Sequence, residues 1–127
     1  MIANPTRFPR QETRQHLRAD IEIHVLCGRD GQHWPGLIVN ISAGGIFLRT
    51  SMDRPEPGDV LQIVLPLPGE THPRHLQAEV VWAQQHTAQA DKERGLGLKF
   101  RDIRPDDEAA IGVLVEEALM DALETEQ

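Results

Sequence analysis

Apolar and polar residues alternate with a period of two in one segment after another of this 127-residue chain, and glycine or proline bounds each segment. Successive side chains of a strand point to opposite faces, so this pattern marks a sheet with one face buried. Ile21, Ile23, Val25 and Cys27 share one face of a first strand, opposite Asp20, Glu22 and His24, and Gly28-Arg29-Asp30-Gly31 supplies a turn. A second strand is predicted over 34–41 and a third over 46–50, joined by the tight segment Ser42-Ala43-Gly44-Gly45. Pro55, Pro57 and Gly58 break the chain before a fourth strand over 60–65, which Pro66, Pro68 and Gly69 end. Leu76, Ala78, Val80 and Trp82 alternate in a fifth. After a polar loop, Gly95 to Phe100 makes a sixth, with Leu96, Leu98 and Phe100 on one face. Six short strands at close spacing predict an all-β-dominated fold, a six-stranded antiparallel β-barrel, whose closure leaves no exposed sheet edge.

The period changes at the end of the chain. Pro105 suits the first turn of a helix, and Asp106, Asp107 and Glu108 complement its positive N-terminal end. Ile111, Leu114, Val115, Ala118, Leu119, Ala122 and Leu123 then recur every three or four residues, giving a C-terminal α-helix at about 105–124 with one apolar stripe. The stripe reads as a lid on the barrel in preference to a partner-binding face. The expected organisation is a flexible basic arm over 1–13 and a single domain over 14–127.

Composition narrows the function. At 39% hydrophobic and 26% charged residues, 127 residues suffice for one modest core. No run of 18 apolar residues is present, so no membrane insertion is expected, and the polar, arginine-rich N-terminus lacks the apolar stretch of a secretory signal. A single cysteine, Cys27, fits a reducing cytoplasm. The net charge of −7 argues against general DNA or RNA binding. Its distribution is uneven: Arg7, Arg10, Arg14 and Arg18 against Glu12 leave the first 18 residues at +3, so the other 109 carry −10. An acidic body with a basic arm suits a small anionic ligand better than a long polyanion.

Two short features stand out against this strand map. Arg14-Gln15-His16-Leu17-Arg18 precedes the first strand and reads RxxxR; Asn40-Ile41-Ser42-Ala43-Gly44-Gly45 joins the second and third and reads NxSxxG. In this order and at this separation the pair resembles the signature of the PilZ domain family, RxxxR followed by a strand and D/NxSxxG. Gly44 to Leu48, Ala78 to Trp82 and Gly95 to Phe100 are similar to later strands of such domains, and the resemblance runs from about Arg10 to Leu123.

The resemblance implies a cytoplasmic receptor for cyclic di-GMP that signals to a protein partner, with Arg14, Arg18, Asn40, Ser42, Gly44 and Gly45 as ligand-binding residues. The chemistry agrees. A planar guanidinium pairs bidentately with phosphate or with guanine O6 and N7. Asn40 and Ser42 offer short polar side chains from a turn, and Gly44 and Gly45 would let backbone approach a ligand and present N–H donors. Arg10 is a second candidate, since Arg10 to Arg14 also reads RxxxR, though with an acid inside it; the register with the first strand favours Arg14 and Arg18. Thr13 stands where many family members carry a basic residue, which leaves open one ligand molecule or a stacked pair. The arm from Arg7 to Arg18 is expected to order on binding. The rival reading is a PilZ-like interaction module without ligand, and the chain fits a monomer or a homodimer. No enzyme, cofactor or metal site is expected: Ser42 lacks the leading glycine of a G-x-S-x-G elbow, and His72 and His75 flank Pro73 without a supporting ligand set. Trp34, Trp82 and the three phenylalanines are expected to pack in the core and at its rim, not to form a base-stacking platform.

Overall fold

The computed structural model describes residues 17–84 and 94–125. The expected arm over 1–13, with Arg10, and Arg14 just after it lie outside them. The order of elements is β1 (Ala19–Arg29), β2 (Gln32–Ile41), β3 (Gly45–Thr50), β4 (Val60–Leu65), β5 (Arg74–Ala83), β6 (Arg94–Arg101) and α1 (Pro105–Thr125). The strands close into an antiparallel barrel in the order β1-β2-β3-β6-β5-β4.

Alternation decides which side chains fill that barrel. Ala19, Val25 and Cys27 of β1, Ile38 and Ile41 of β2, Leu48 of β3, Leu61, Ile63 and Leu65 of β4, and Leu96 of β6 are buried in one continuous core. Each large aliphatic side chain removed from water there contributes roughly 1.5–3 kcal/mol. Thr50 is a fully buried polar side chain inside, and it is satisfied: its Oγ1 donates to the Pro35 carbonyl at 2.9 Å and accepts the Met52 N–H at 3.2 Å. Burial pushes the neighbouring Cys27 thiol above its ordinary pKa, outweighing its contact with Thr50. The β1–β2 connection is a two-residue turn with positive φ at Asp30 (54°) and Gly31 (82°), as the right-handed twist of a hairpin requires.

Helix α1 closes the barrel through Ile111, Leu114 and Val115, all buried. Its first turn is pinned electrostatically. Arg74 donates to Asp106, Asp107 and Glu70, each at 2.7 Å, and Arg104 donates to Asp107 at 3.2 Å. Burial alone would raise the Asp107 carboxyl, but hydrogen bonds and charge from Arg74 and Arg104 hold it below its ordinary value. The lid reading thus holds for the first half of the helix. The stripe stops short of its expected end: Ala122 and Leu123 are exposed, as are Val113 and Met120, because the barrel mouth is covered before the last turns begin.

Three irregularities interrupt the regular pairing, and two of them, in β2 and β5, change which side chains face outward near the Ser42 turn. The register shifts between Asp20 and Ile23 in β1, between Ile38 and Asn40 in β2, and between Val80 and Trp82 in β5. A bulge adds one residue to one strand and turns the residues beyond it to the other face. Asn40 consequently leaves the inward series that Ile38 began, while Ile41 returns to the core. Trp82 leaves it too. The sequence pattern placed Trp82 with Leu76, Ala78 and Val80, but the extra residue Val81 puts the indole outside, 48% exposed.

Candidate functional site

A groove of about 680 Å³ runs across the outside of the barrel where β3, β6 and β5 meet the Ser42 turn. That volume is in the range of small-molecule sites. Arg18, Ser42 and Gly44 line it together with Phe47, Val81 and Trp82, and Lys99 of β6 is the register partner of Gly45 at the turn.

The turn that forms one wall is held by Ser42. Its hydroxyl oxygen accepts the N–H groups of Gly44 at 3.1 Å and Gly45 at 3.2 Å, and its own N–H donates to the Gly45 carbonyl at 2.9 Å. The side chain is 3% exposed. Serine is suited to this local bonding because its short hydroxyl reaches backbone donors two and three residues ahead. The sequence suggested the Ser42 hydroxyl and these two amides as ligand donors; in the structure they are engaged with one another. Gly45 has a second duty. A Cβ there would lie 2.1 Å from the Leu98 carbonyl oxygen, so only glycine lets β3 approach β6 so closely. Gly44 ties the turn down from the other side, its carbonyl accepting the Phe100 N–H at 3.0 Å.

Arg18 and Asn40 are brought together from separate motifs. Arg18 Nη1 donates to Asn40 Oδ1 at 2.7 Å, and Asn40 Nδ2 donates to Asp20 Oδ1 at 3.1 Å. Asp20 and Asn40 are direct cross-strand partners on the outer face of β1 and β2. The other two arginines expected at the site, Arg10 and Arg14, lie outside the described residues.

The aromatic wall was not anticipated from the sequence. Phe47 of β3 and Trp82 of β5 both pair with Gly97 of β6, one from each side. Their ring centroids are 5.6 Å apart with planes tilted by 38°. Gly97 makes room for the indole: a Cβ there would stand 2.4 Å from Trp82 Nε1. Gly95, also on the outer face, lies under the Phe47 ring, with Cζ 2.5 Å from where its Cβ would be. The signal was in the other half of the Gly95-Leu96-Gly97-Leu98 alternation. Outward glycines in a strand mark something lying close on top.

A half-exposed indole lining the same groove as two cations, Arg18 and Lys99, offers a stacking surface together with donors for an anion. Among the described residues, no group of three or more His, Cys, Asp or Glu is arranged to hold a metal ion, and no helix is long and apolar enough to cross a membrane.

This architecture has known relatives. The Bacillus subtilis inhibitor of motility MotI/DgrA superposes with a TM-score of 0.67 at 23% identity, over 89% of this chain and 53% of that one. The PilZ domain of YcgR from Escherichia coli, solved with c-di-GMP, gives 0.63 at 12% identity, over 87% of this chain and 95% of that one. The K. pneumonia MrkH–c-di-GMP complex gives 0.66 at 16% identity, over 87% and 54%. This chain therefore spans about half the length of the MotI/DgrA and MrkH chains, and these likenesses are of fold. No curated protein matches its sequence. The PilZ domain family itself matches residues 12–117, which is most of the sequence and contains every described element of the groove. The chain belongs to the PilZ domain family.

Proposed function

We propose that this protein is a receptor for cyclic di-GMP and that the groove between the Ser42 turn and Trp82 is where the nucleotide binds. The observation that carries the reading is the convergence of Arg18, Lys99 and the exposed Trp82 on one groove of ligand size in an otherwise acidic chain. Two phosphates need cations, and guanine needs a flat apolar face and a bidentate donor; the groove offers the first from Arg18 and Lys99 and the second from Trp82 and a guanidinium. Family membership and the c-di-GMP present in the YcgR and MrkH structures support the same ligand.

Within this proposal Arg14 would supply a second guanidinium, four residues before Arg18, with Arg10 as its alternate. Asn40 and the Ser42–Gly45 turn shape the rim. Binding draws residues 7–18 over the groove and so creates a surface that a protein partner reads, in the cytoplasm where the second messenger is made. In this reading the role is that of a receptor, not an enzyme.

Isothermal titration calorimetry with cyclic di-GMP tests the reading, run beside Arg18→Ala. Saturable binding at micromolar or lower concentration, lost in the variant, is the expected result, and its stoichiometry distinguishes one ligand from a stacked pair. A folded protein that gives no heat contradicts it and leaves the interaction-module reading. Protease cleavage within residues 7–18 that is the same with and without ligand would contradict the proposed movement of the arm.

A further inference from the structure

The two signature motifs meet at a residue that belongs to neither. Asp20 lies two positions after Arg18 and directly across from Asn40 in the β1–β2 register, on the outer face of the barrel. Its carboxylate accepts from Asn40 Nδ2 at 3.1 Å, while Asn40 Oδ1 accepts from Arg18 Nη1 at 2.7 Å.

An asparagine amide has two unlike ends, one donating and one accepting, and in isolation either end can face either way. A carboxylate at neutral pH only accepts. Asp20 therefore selects the orientation in which the Asn40 NH₂ points to it, and this leaves the amide oxygen, and not the NH₂, toward Arg18. Arg18 donates only, so the reversed amide would set donor against donor. The chain Asp20–Asn40–Arg18 carries its donors and acceptors in a single consistent order, and Arg18 at its end lines the groove. The same geometry explains why this chain holds asparagine where the pattern also admits aspartate. With Asp20 directly opposite, a carboxylate at position 40 would place two like charges in cross-strand contact.

We propose that Asp20 is a positioning residue for the ligand site: it fixes the Asn40 amide, which holds Arg18 in the conformation that meets the ligand. This rests on the reading of the groove as a cyclic di-GMP site. Asp20 itself touches no ligand in this scheme, and its exposed position means that its substitution leaves the fold intact.

The test is a mutant cycle with two readouts. In the ligand-free protein, the order parameter of the Arg18 Nε–H group by ¹⁵N NMR relaxation falls in Asp20→Ala. In calorimetry with cyclic di-GMP, Asp20→Ala binds about fivefold more weakly and Asn40→Asp about tenfold more weakly, the scale of one ordinary net hydrogen bond. The exchanged pair D20N/N40D keeps an acceptor facing Arg18 and re-pairs positions 20 and 40, the amide at 20 now donating to the carboxylate at 40, and binds within about threefold of the wild type. That rescue is a coupling a merely structural role would not produce. An Arg18 order parameter unchanged in Asp20→Ala overturns the positioning role whatever the titrations give. Asp20→Ala binding as the wild type does, while Arg18→Ala does not bind, overturns it and leaves the receptor reading standing. A wild-type protein that binds no cyclic di-GMP overturns the receptor reading, and with it the part Asp20 plays in recognition.

Discussion

Two glycines of the groove make opposite demands on the fold, and substituting each by alanine separates binding from stability. At Gly97 the added Cβ would stand 2.4 Å from Trp82 Nε1 and 2.7 Å from its Cδ1, and the three nearest neighbours are all atoms of that one indole. The ring is 48% exposed and has solvent to move into. Replacing a strand glycine also narrows the unfolded ensemble, a gain of roughly 0.4–1 kcal/mol that offsets the lost packing of the indole. Gly97→Ala is therefore expected to melt within about 4 °C of the wild type, since 1 kcal/mol shifts a domain of this size by about that much. Its aromatic wall, however, is displaced. A base stacked on an aromatic side chain is worth about 1–3 kcal/mol, so affinity for cyclic di-GMP should fall by roughly tenfold or more. At Gly45 the Cβ would meet the Leu98 carbonyl oxygen at 2.1 Å, which is backbone and cannot swing away. Gly45→Ala must push β3 from β6, at a cost of about 3 kcal/mol and a melting temperature lower by about 10 °C. Differential scanning calorimetry and titration of both variants decide the matter. A Gly97→Ala protein that melts as low as Gly45→Ala, or that binds with wild-type affinity, refutes the reasoning.

Three further outcomes rest on other parts of the barrel. Asp107→Asn should lose about 1 kcal/mol in urea unfolding at pH 7, because it removes the buried carboxylate that Arg74 and Arg104 share, while Arg74 keeps Glu70 and Asp106 and Arg104 stays in water. The wild-type carboxyl is held below its ordinary value in the folded state, so its contribution is complete above about pH 4 and fades as the pH falls further. The gap between the two proteins should therefore shrink in acid, and a constant gap from about pH 7 to about pH 2.5 would contradict the assignment. Thr50→Val leaves the Pro35 carbonyl and Met52 N–H without their buried partner and should cost about 1–3 kcal/mol in the same assay. Arg29 Nη1 and Nη2 hold the Arg54 and Asp53 carbonyls at 3.1 and 2.6 Å, so Arg29→Ala should speed amide exchange across 51–59 and leave cyclic di-GMP affinity unchanged.

Most of the fold was legible because it rests on local alternation. Val60 to Leu65 reads as a strand from its sequence and forms β4 over those same residues, since nothing interrupts its period. The bulges were not legible. Whether an extra residue enters a strand depends on its partner's register, and nothing local to Val80-Val81-Trp82 states that Leu98 and Gly97 will face Val80 and Trp82. That single shift moved Trp82 from an expected packing residue to a wall of the groove. The polar half of the site divides in the same way. Arg18 and Asn40 each stood out in a motif, but that they bond to one another, and that Asp20 shares in it, needs the structure and the β1–β2 register. Ser42 stood out correctly as a turn residue, but whether its hydroxyl serves the backbone or a ligand is a question of geometry, and here it caps the Gly44 and Gly45 amides.

The most direct test of the central claim is a ¹H–¹⁵N NMR titration with cyclic di-GMP that reports where the ligand sits. The account predicts saturable shifts at the amides of Ser42 to Phe47 and of Gly97 to Lys99, and at the Trp82 indole N–H, with the Asp30–Gly31 turn unmoved. No shifts on a folded protein, or shifts confined to the opposite exterior around Leu26 and Val64, would contradict it.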